Sequence, residues 1–305
     1  MKTLTLGRTD IRVPDLCLGT MTFGNQTPEA DAHRQIDMSL EAGLNFIDTA
    51  EMYPVNPVRK ETVGRSEEVI GNWFARTGRR AETVIATKVA GDTAQVRDGK
   101  GYDGKIVREA VDASLRRLQT DVIDVYQLHW PMRGSYMFRQ NWHYDPRGKR
   151  RGEVVEHMVE VLEAMAEMVK AGKVRAFGLS NEGAWGTLHW ISLAEEIGAP
   201  RVATVQNEYS LWTRNAEIAV LDACRDIGAA FVAFGLLFAA VLPAGAAALR
   251  GAALAGAGRA GFLATEALGF LLMLRACRGV ARAVEANPQL YWKRALESRS
   301  GRVAA

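Results

Sequence analysis

Four polar side chains stand where short apolar runs finish: Asp48 follows LNFI, Tyr53 lies in the loop beyond it, Lys88 follows VIAT, and His129 follows VYQL. A lysine ammonium beside a phenol favours the phenolate, so Lys88 is expected to lower the pKa of Tyr53 towards neutrality and make it a usable general acid. Asp48 would keep Lys88 charged and in place. His129 would donate a hydrogen bond to a carbonyl oxygen as negative charge develops on it. The set holds no hydride, so a reduction built on it needs a cofactor. Taken one at a time, each residue has an ordinary explanation: Asp48 as a cap, Tyr53 and Lys88 as solvated loop residues, His129 as a satisfied core histidine. Their joint occurrence at successive strand ends is what points to catalysis.

The elements that must position these residues alternate along the chain. An opening hairpin over Thr3 to Val13, turning at Gly7-Arg8, is followed by strand-like runs at Cys17 to Gly19, Leu44 to Ile47, Val84 to Thr87, Ile123 to Leu128, Val174 to Leu179, Val202 to Gln206 and Ala230 to Phe234. Between them lie amphipathic helices, read from Val107, Val111, Ser114 and Leu118, and from Met158, Leu162, Met165 and Val169. Thr27-Pro28-Glu29 is expected to start the first helix, with the Thr27 hydroxyl as cap and Pro28 at the first helical position, and Gly43 to stop it. Strands alternating with helices imply a parallel sheet. The fold class is α/β, a (β/α)8 barrel of the TIM type, incomplete or distorted at its eighth unit, with the four residues on the rim formed by the C-terminal strand ends.

The segments LGTMTFG (18–24), GLNFIDTAEMYP (43–54), VIATKV (84–89), REAVDASLRRLQTDVIDVYQLHWP (108–131), GKVRAFGLSNE (172–182) and VQNEYSL (205–211) resemble the aldo-keto reductases, in particular the bacterial Tas-type branch. The resemblance covers residues 1–234 and implies an NADPH-dependent oxidoreductase that reduces an aldehyde or ketone. It makes Asp48, Tyr53, Lys88 and His129 the catalytic tetrad, with Tyr53 the proton donor. It also implies that Ser180, Asn181 and Gln206 hold the nicotinamide carboxamide of NADP(H), and that Phe234 stacks on the ring. Ser180-Asn181-Glu182 equally reads as a turn and helix cap, and Gln206 as a polar strand end. Met21, Phe23 and Trp130 are expected to line the substrate pocket. For the aromatic loop Met132 to Arg151, packing and substrate contact are both open, while its basic run Arg147 to Arg151 reads as a solvated face.

Residues 235–305 form a second segment of different character, rich in Ala, Gly, Leu and Arg, with nine Arg/Lys against three Glu. Where the family has a Ser-Pro-Leu type loop, this chain reads GLLFAAVLPAG, and no last strand or basic helix start for the 2'-phosphate is visible. The GxGxxG match at Gly256 to Gly261 follows no strand, so it reads as low complexity. Two alternatives stand beside the reductase: a non-catalytic barrel that binds the cofactor poorly, and a defective, frameshifted or truncated family member.

Composition is that of a globular protein, 48% hydrophobic and 24% charged with net charge +3, which favours no nucleic-acid partner. Ile227 to Leu249 carries no charge and is long enough for a bilayer. Its glycines and Pro243 break it, so a membrane role is the minor reading. Cys17, Cys224 and Cys277 have neither disulfide nor zinc spacing, no metal site is expected, and the opening residues lack a signal-peptide core. A cytoplasmic enzyme acting on a small carbonyl compound is the expectation.

Overall fold

The computed structural model describes residues 2–234 except 56, 138–139, 141, 149 and 211–212. The chain divides into two units, Met1–Tyr209 with Thr213–Phe234 and Ser210–Trp212 with Gly235–Ala305, and the first of them carries the sheet and its helices. The expected eighth unit, the glycine run at 256–261 and the departure from the family pattern after residue 234 lie outside the described residues.

A short antiparallel hairpin, β1 (Thr3–Thr5) on β2 (Arg12–Pro14), precedes seven parallel strands: β3 (Leu18–Gly19), β4 (Phe46–Asp48), β5 (Val84–Val89), β6 (Ile123–Leu128), β7 (Val174–Ser180), β8 (Val202–Glu208) and β9 (Ala230–Phe234). They pair in chain order from β3 to β9. Among the described residues six α-helices connect or flank them: α1 (Glu29–Glu41), α2 (Arg65–Thr77), α3 (Gly104–Leu118), α4 (Arg151–Lys170), α5 (Ala184–Ile197) and α6 (Val220–Ile227). All seven expected strands are present. β4 begins later than the apolar run suggests, because Leu44 still belongs to the helix exit: its N–H donates to Ser39 O at 2.8 Å and its carbonyl accepts from Ser39 Oγ at 2.9 Å.

The start of α1 differs from expectation. Pro28 is the N-cap itself and the helix begins at Glu29 without a side-chain cap. Thr27 Oγ1 is instead 2.9 Å from Thr22 Oγ1, a competing partner in the preceding turn. Gly43, at φ 77°, ends the helix as read from the sequence.

Strand alternation sorts the side chains. Ile47, Ile85, Tyr126, Leu128, Phe177, Leu179 and Val205 join the helices in one large core, with Val107, Val111, Leu118, Met158, Leu162 and Met165 from the expected helix faces. Their neighbours Phe46, Val84, Ala86, Val125 and Ala176 form a second, inner core with Leu6, Ile11 and Val13 of the hairpin segment. Each Val, Leu, Ile, Phe or Met side chain among them, taken from water, contributes about 1.5–3 kcal/mol. The hairpin turn needs its glycine: Gly7 has φ 58°, and a Cβ there would lie 2.3 Å from the Ala203 carbonyl oxygen.

Candidate active site

Two residues beyond that inner apolar layer, the same alternation turns Asp48, Lys88 and Gln127 to the strand face that carries it. Lys88 is fully buried, and its Nζ donates to Asp48 Oδ1 at 2.8 Å, Asp48 Oδ2 at 2.7 Å and the Thr49 carbonyl at 2.7 Å. Asp48 Oδ1 also accepts from Gln206 Nε2 at 3.1 Å and Gln127 Nε2 at 3.4 Å. Thr20 Oγ1 donates to the Asp48 carbonyl at 2.9 Å. Burial opposes the charge on Lys88, but Asp48 leads the effects that favour it, and the ammonium is held above its usual pKa.

Tyr53 is placed by a turn in which its N–H donates to Ala50 O at 3.0 Å. The Lys88 Nζ lies 5.4 Å from its ring centroid, and the His129 ring meets it edge-on at 5.6 Å. His129 follows β6 directly, with its N–H on Val89 O at 3.0 Å. The four residues therefore converge. One part of the electrostatic expectation is corrected: Lys88 does pull the Tyr53 phenol downward, but burial is the larger effect, Asp48 adds to it, and the phenol is held above its ordinary value rather than near neutrality. At neutral pH it keeps its proton, as a donor must. Burial, with Lys88 second, holds His129 well below the usual imidazole range, so the ring is neutral and has one N–H to donate.

A second group lies at the ends of β7 and β8. A register shift at Phe177/Gly178 inserts one extra residue in β8 and sets Gln206 opposite Ser180. Asn181 adopts φ 52°, a left-handed conformation that asparagine tolerates, and its N–H donates to Gln206 O at 2.9 Å. Its Nδ2 donates to the His129 carbonyl at 2.8 Å, tying this corner to the tetrad. Its Oδ1 is buried and unpartnered, an acceptor available to an amide N–H of a bound molecule. The nicotinamide carboxamide offers that donor, so the residues present fit the group expected of them. Phe234 ends β9 opposite Glu208, and its carbonyl accepts from the Tyr209 N–H at 2.9 Å, which puts its backbone at the same end of the sheet.

Residues that no motif marks hold this corner. Glu182 is buried; its carboxylate accepts from both Arg133 guanidinium nitrogens, from Trp190 Nε1 at 3.2 Å and from the Gly183 N–H at 2.7 Å. Asn207 brackets its backbone, accepting from Glu182 N at 3.1 Å and donating to Glu182 O at 2.8 Å. Ser135 Oγ donates to the Asn181 carbonyl at 2.6 Å. Glu182 is visible in GLSNE as an acid directly after the polar pair, but its partner Arg133, 49 positions away, has no local signal.

The three residues expected at the pocket wall sit in different surroundings. Trp130 is half-buried beside His129, ring centroids 5.0 Å apart, with Nε1 donating to Asp92 Oδ1 at 3.1 Å. A Cβ at Gly91 would lie 2.1 Å from that indole nitrogen, so the glycine is needed for the approach. Met21 is half-buried and its carbonyl accepts from the Val55 N–H at 2.9 Å. Phe23 is removed from the wall: at 1% exposure it belongs to the hydrophobic core on the helix side. In the long loop, Tyr136 and Tyr144 pack edge to face at 4.8 Å, Trp142 is 92% exposed, and Phe138 is outside the described residues. Arg147 and Arg150 are exposed and pair with Asp145 and Glu153. Among the described residues no cluster of three His, Cys, Asp or Glu could hold a metal, and no helix is long and apolar enough to cross a membrane.

The fold of this chain, a parallel sheet wound with helices, has its counterpart in known proteins. The profile of the Aldo/keto reductase family matches residues 15–247, and the chain belongs to that family, whose fold is the (β/α)8 barrel. Among its relatives is the protein Tas of Escherichia coli, 41% identical over 234 residues, which cover 74% of this chain and 65% of Tas. The oxidoreductase YrpG of Bacillus subtilis is 37% identical over 242 residues, covering 78% of this chain and 67% of YrpG. The chain thus spans just under two thirds of the length of Tas. A crystal structure of a thermostable aldo-keto reductase in complex with the inhibitor epalrestat superposes with a TM-score of 0.59 at 27% identity, covering 78% of this chain and 73% of the other.

Proposed function

We propose that this chain is an NADPH-dependent carbonyl reductase in which Tyr53 donates the proton to the oxygen of an aldehyde or ketone. The observation that carries the reading is the buried Lys88 ammonium, fixed to Asp48 at 2.7 Å and 5.4 Å from the Tyr53 ring. When bound, the nicotinamide supplies the hydride. Asn181, with Ser180 and Gln206, would hold its carboxamide, and Phe234 would supply an aromatic face for the ring. His129 orients the carbonyl oxygen through a neutral N–H. As the proton leaves Tyr53, negative charge grows on the phenol oxygen, and Lys88 stabilises it in a site where burial keeps water from screening the pair. Trp130 and Met21 border the substrate, and the enzyme works in the reducing cytoplasm on a small carbonyl compound.

The test is loss of NADPH absorbance with a panel of aldehydes and ketones. Tyr53→Phe is expected to lower kcat about a hundredfold or more while leaving NADPH binding intact. Equal rates for wild type and Tyr53→Phe would refute the assignment. A second reading, a barrel that keeps the tetrad but holds the cofactor weakly, is favoured by the sequence GLLFAAVLPAG at 235–245, where the resemblance expects a phosphate-binding loop. Fluorescence titration separates the two: saturable quenching by NADPH supports the reductase, and no binding at high cofactor concentration supports the second reading.

A further inference from the structure

The loop that carries Tyr53 is stitched to the end of β5 by more than the tetrad. Glu51 is 4% exposed, its N–H donates to the Lys88 carbonyl at 3.1 Å, and its carboxylate accepts from the Ala90 N–H at 2.6 Å. The same carboxylate oxygen accepts from Arg97 Nη1 at 2.7 Å, and Arg97 Nη2 donates to the Ala90 carbonyl at 2.6 Å. Arg97 thus grips Glu51 and the backbone of Ala90 together. To do so it sits at φ 53°, followed by Asp98 at φ 53°, two consecutive side-chain-bearing residues in the left-handed region. Such conformations persist where surrounding contacts impose them, and they concentrate at functional sites. Burying a carboxylate is costly unless it is paired, and here Arg97 and one amide do the pairing. An exposed pair, Lys60 with Asp98, joins the same two loops from outside, where solvent screening leaves it little strength.

We infer that Glu51 and Arg97 are a positioning pair, locking the Tyr53 loop onto the strand end that carries Lys88 so that phenol and ammonium keep a fixed separation. This rests on the reductase reading for its consequence in turnover. No hydrogen bond or ion pair joins the side chain of either residue to those of the tetrad: Glu51 is paired with Arg97 and Ala90, and Arg97 with Glu51 and Ala90. Loss of either partner frees the loop in the same way, so the two losses are not independent. A misplacement of about 1 Å in such a constellation lowers turnover about a hundredfold, and a looser loop that still visits the right geometry loses less.

The experiment compares wild type, Glu51→Ala, Arg97→Ala and the double variant for kcat, carbonyl KM and NADPH binding by fluorescence. Each single change is expected to lower kcat about tenfold, to leave KM and cofactor affinity within about twofold, and to gain nothing further in combination. Unchanged kcat, parallel loss of kcat and cofactor affinity, or multiplied effects in the double variant would overturn the inference. Should Glu51→Ala not fold, Arg97→Lys, which keeps the cation but not the two-pronged grip, is held to the same outcomes. Should the wild type reduce no carbonyl compound, the reductase reading fails separately. The pair is then tested by the alkaline titration of Tyr53, read as phenolate absorbance of wild type minus Tyr53→Phe. Arg97→Ala should move that midpoint, because a freed loop changes both the burial of Tyr53 and its distance from Lys88, and an unmoved midpoint overturns the pair.

Discussion

Removing the Lys88 ammonium is the sharpest perturbation of the site. In Lys88→Met the Asp48 carboxylate, with its side chain only 13% exposed, keeps Gln206 Nε2 at 3.1 Å and Gln127 Nε2 at 3.4 Å but no cation. At 2.7 Å, an attraction of about 6 kcal/mol at an effective dielectric constant of about 20 is lost. Part of this is offset because an ammonium no longer has to be desolvated, and the net destabilisation expected when one partner of a buried pair is removed is about 3–5 kcal/mol. Asp48→Asn in the same chain removes the stranded charge and should recover most of that loss, since a neutral amide among Gln127 and Gln206 can share their hydrogen bonds. Urea unfolding of wild type, both single variants and the double variant measures the coupling directly. If the double variant is destabilised by the sum of the singles, the Lys88–Asp48 pair is not the electrostatic unit described, and Asp48 does not clamp the ammonium beside Tyr53.

Other outcomes follow from the same geometry. His129 is held well below its ordinary pKa of 6.5, so the unfolded chain takes up a proton that the folded chain resists; stability is full above about pH 6.5 and declines as pH falls below it. His129→Asn should flatten that part of the slope in unfolding measurements between neutral pH and about pH 5, and an unchanged slope would show that the imidazole is not held neutral. Asn181→Ala, which deletes the bond to the His129 carbonyl and the unpartnered Oδ1, should raise the NADPH dissociation constant about tenfold by fluorescence titration. Equal affinity would remove Asn181 from the cofactor site. Gly7→Ala forces a Cβ to within 2.3 Å of the Ala203 carbonyl at positive φ and should cost about 1–3 kcal/mol of stability with no change in KM.

What the sequence shows and what it hides follow from the range of the interactions. Strands β5 and β6 are readable because every residue of Val84–Val89 and Ile123–Leu128 is buried, so both runs are mostly apolar. Lys88 stands out as a charge within such a run. The cap of α1 escapes a sequence reading because Thr27 finds Thr22, a choice between two nearby partners that composition does not decide. Phe23 reads as pocket wall because it follows β3 closely, yet the chain turns it into the core. The direction of the Tyr53 shift needs a quantity no motif carries, the balance between one ammonium and the desolvation of the phenol. Glu51 and Arg133 give no signal because their partners are 46 and 49 positions away, and only the fold pairs them.

The hairpin before the sheet has an electrical consequence. Leu6, Ile11 and Val13 rest on Phe46, Val84, Ala86, Val125 and Ala176, so hydrocarbon underlies the layer that carries Asp48 and Lys88. Such a floor is weakly polarisable and screens the charges of Asp48 and Lys88 less than water would. In the proposed reductase this segment, without a single catalytic atom, supports the site at the opposite end of the strands, and a polar substitution at Ile11 or Val13 is expected to weaken turnover from a distance.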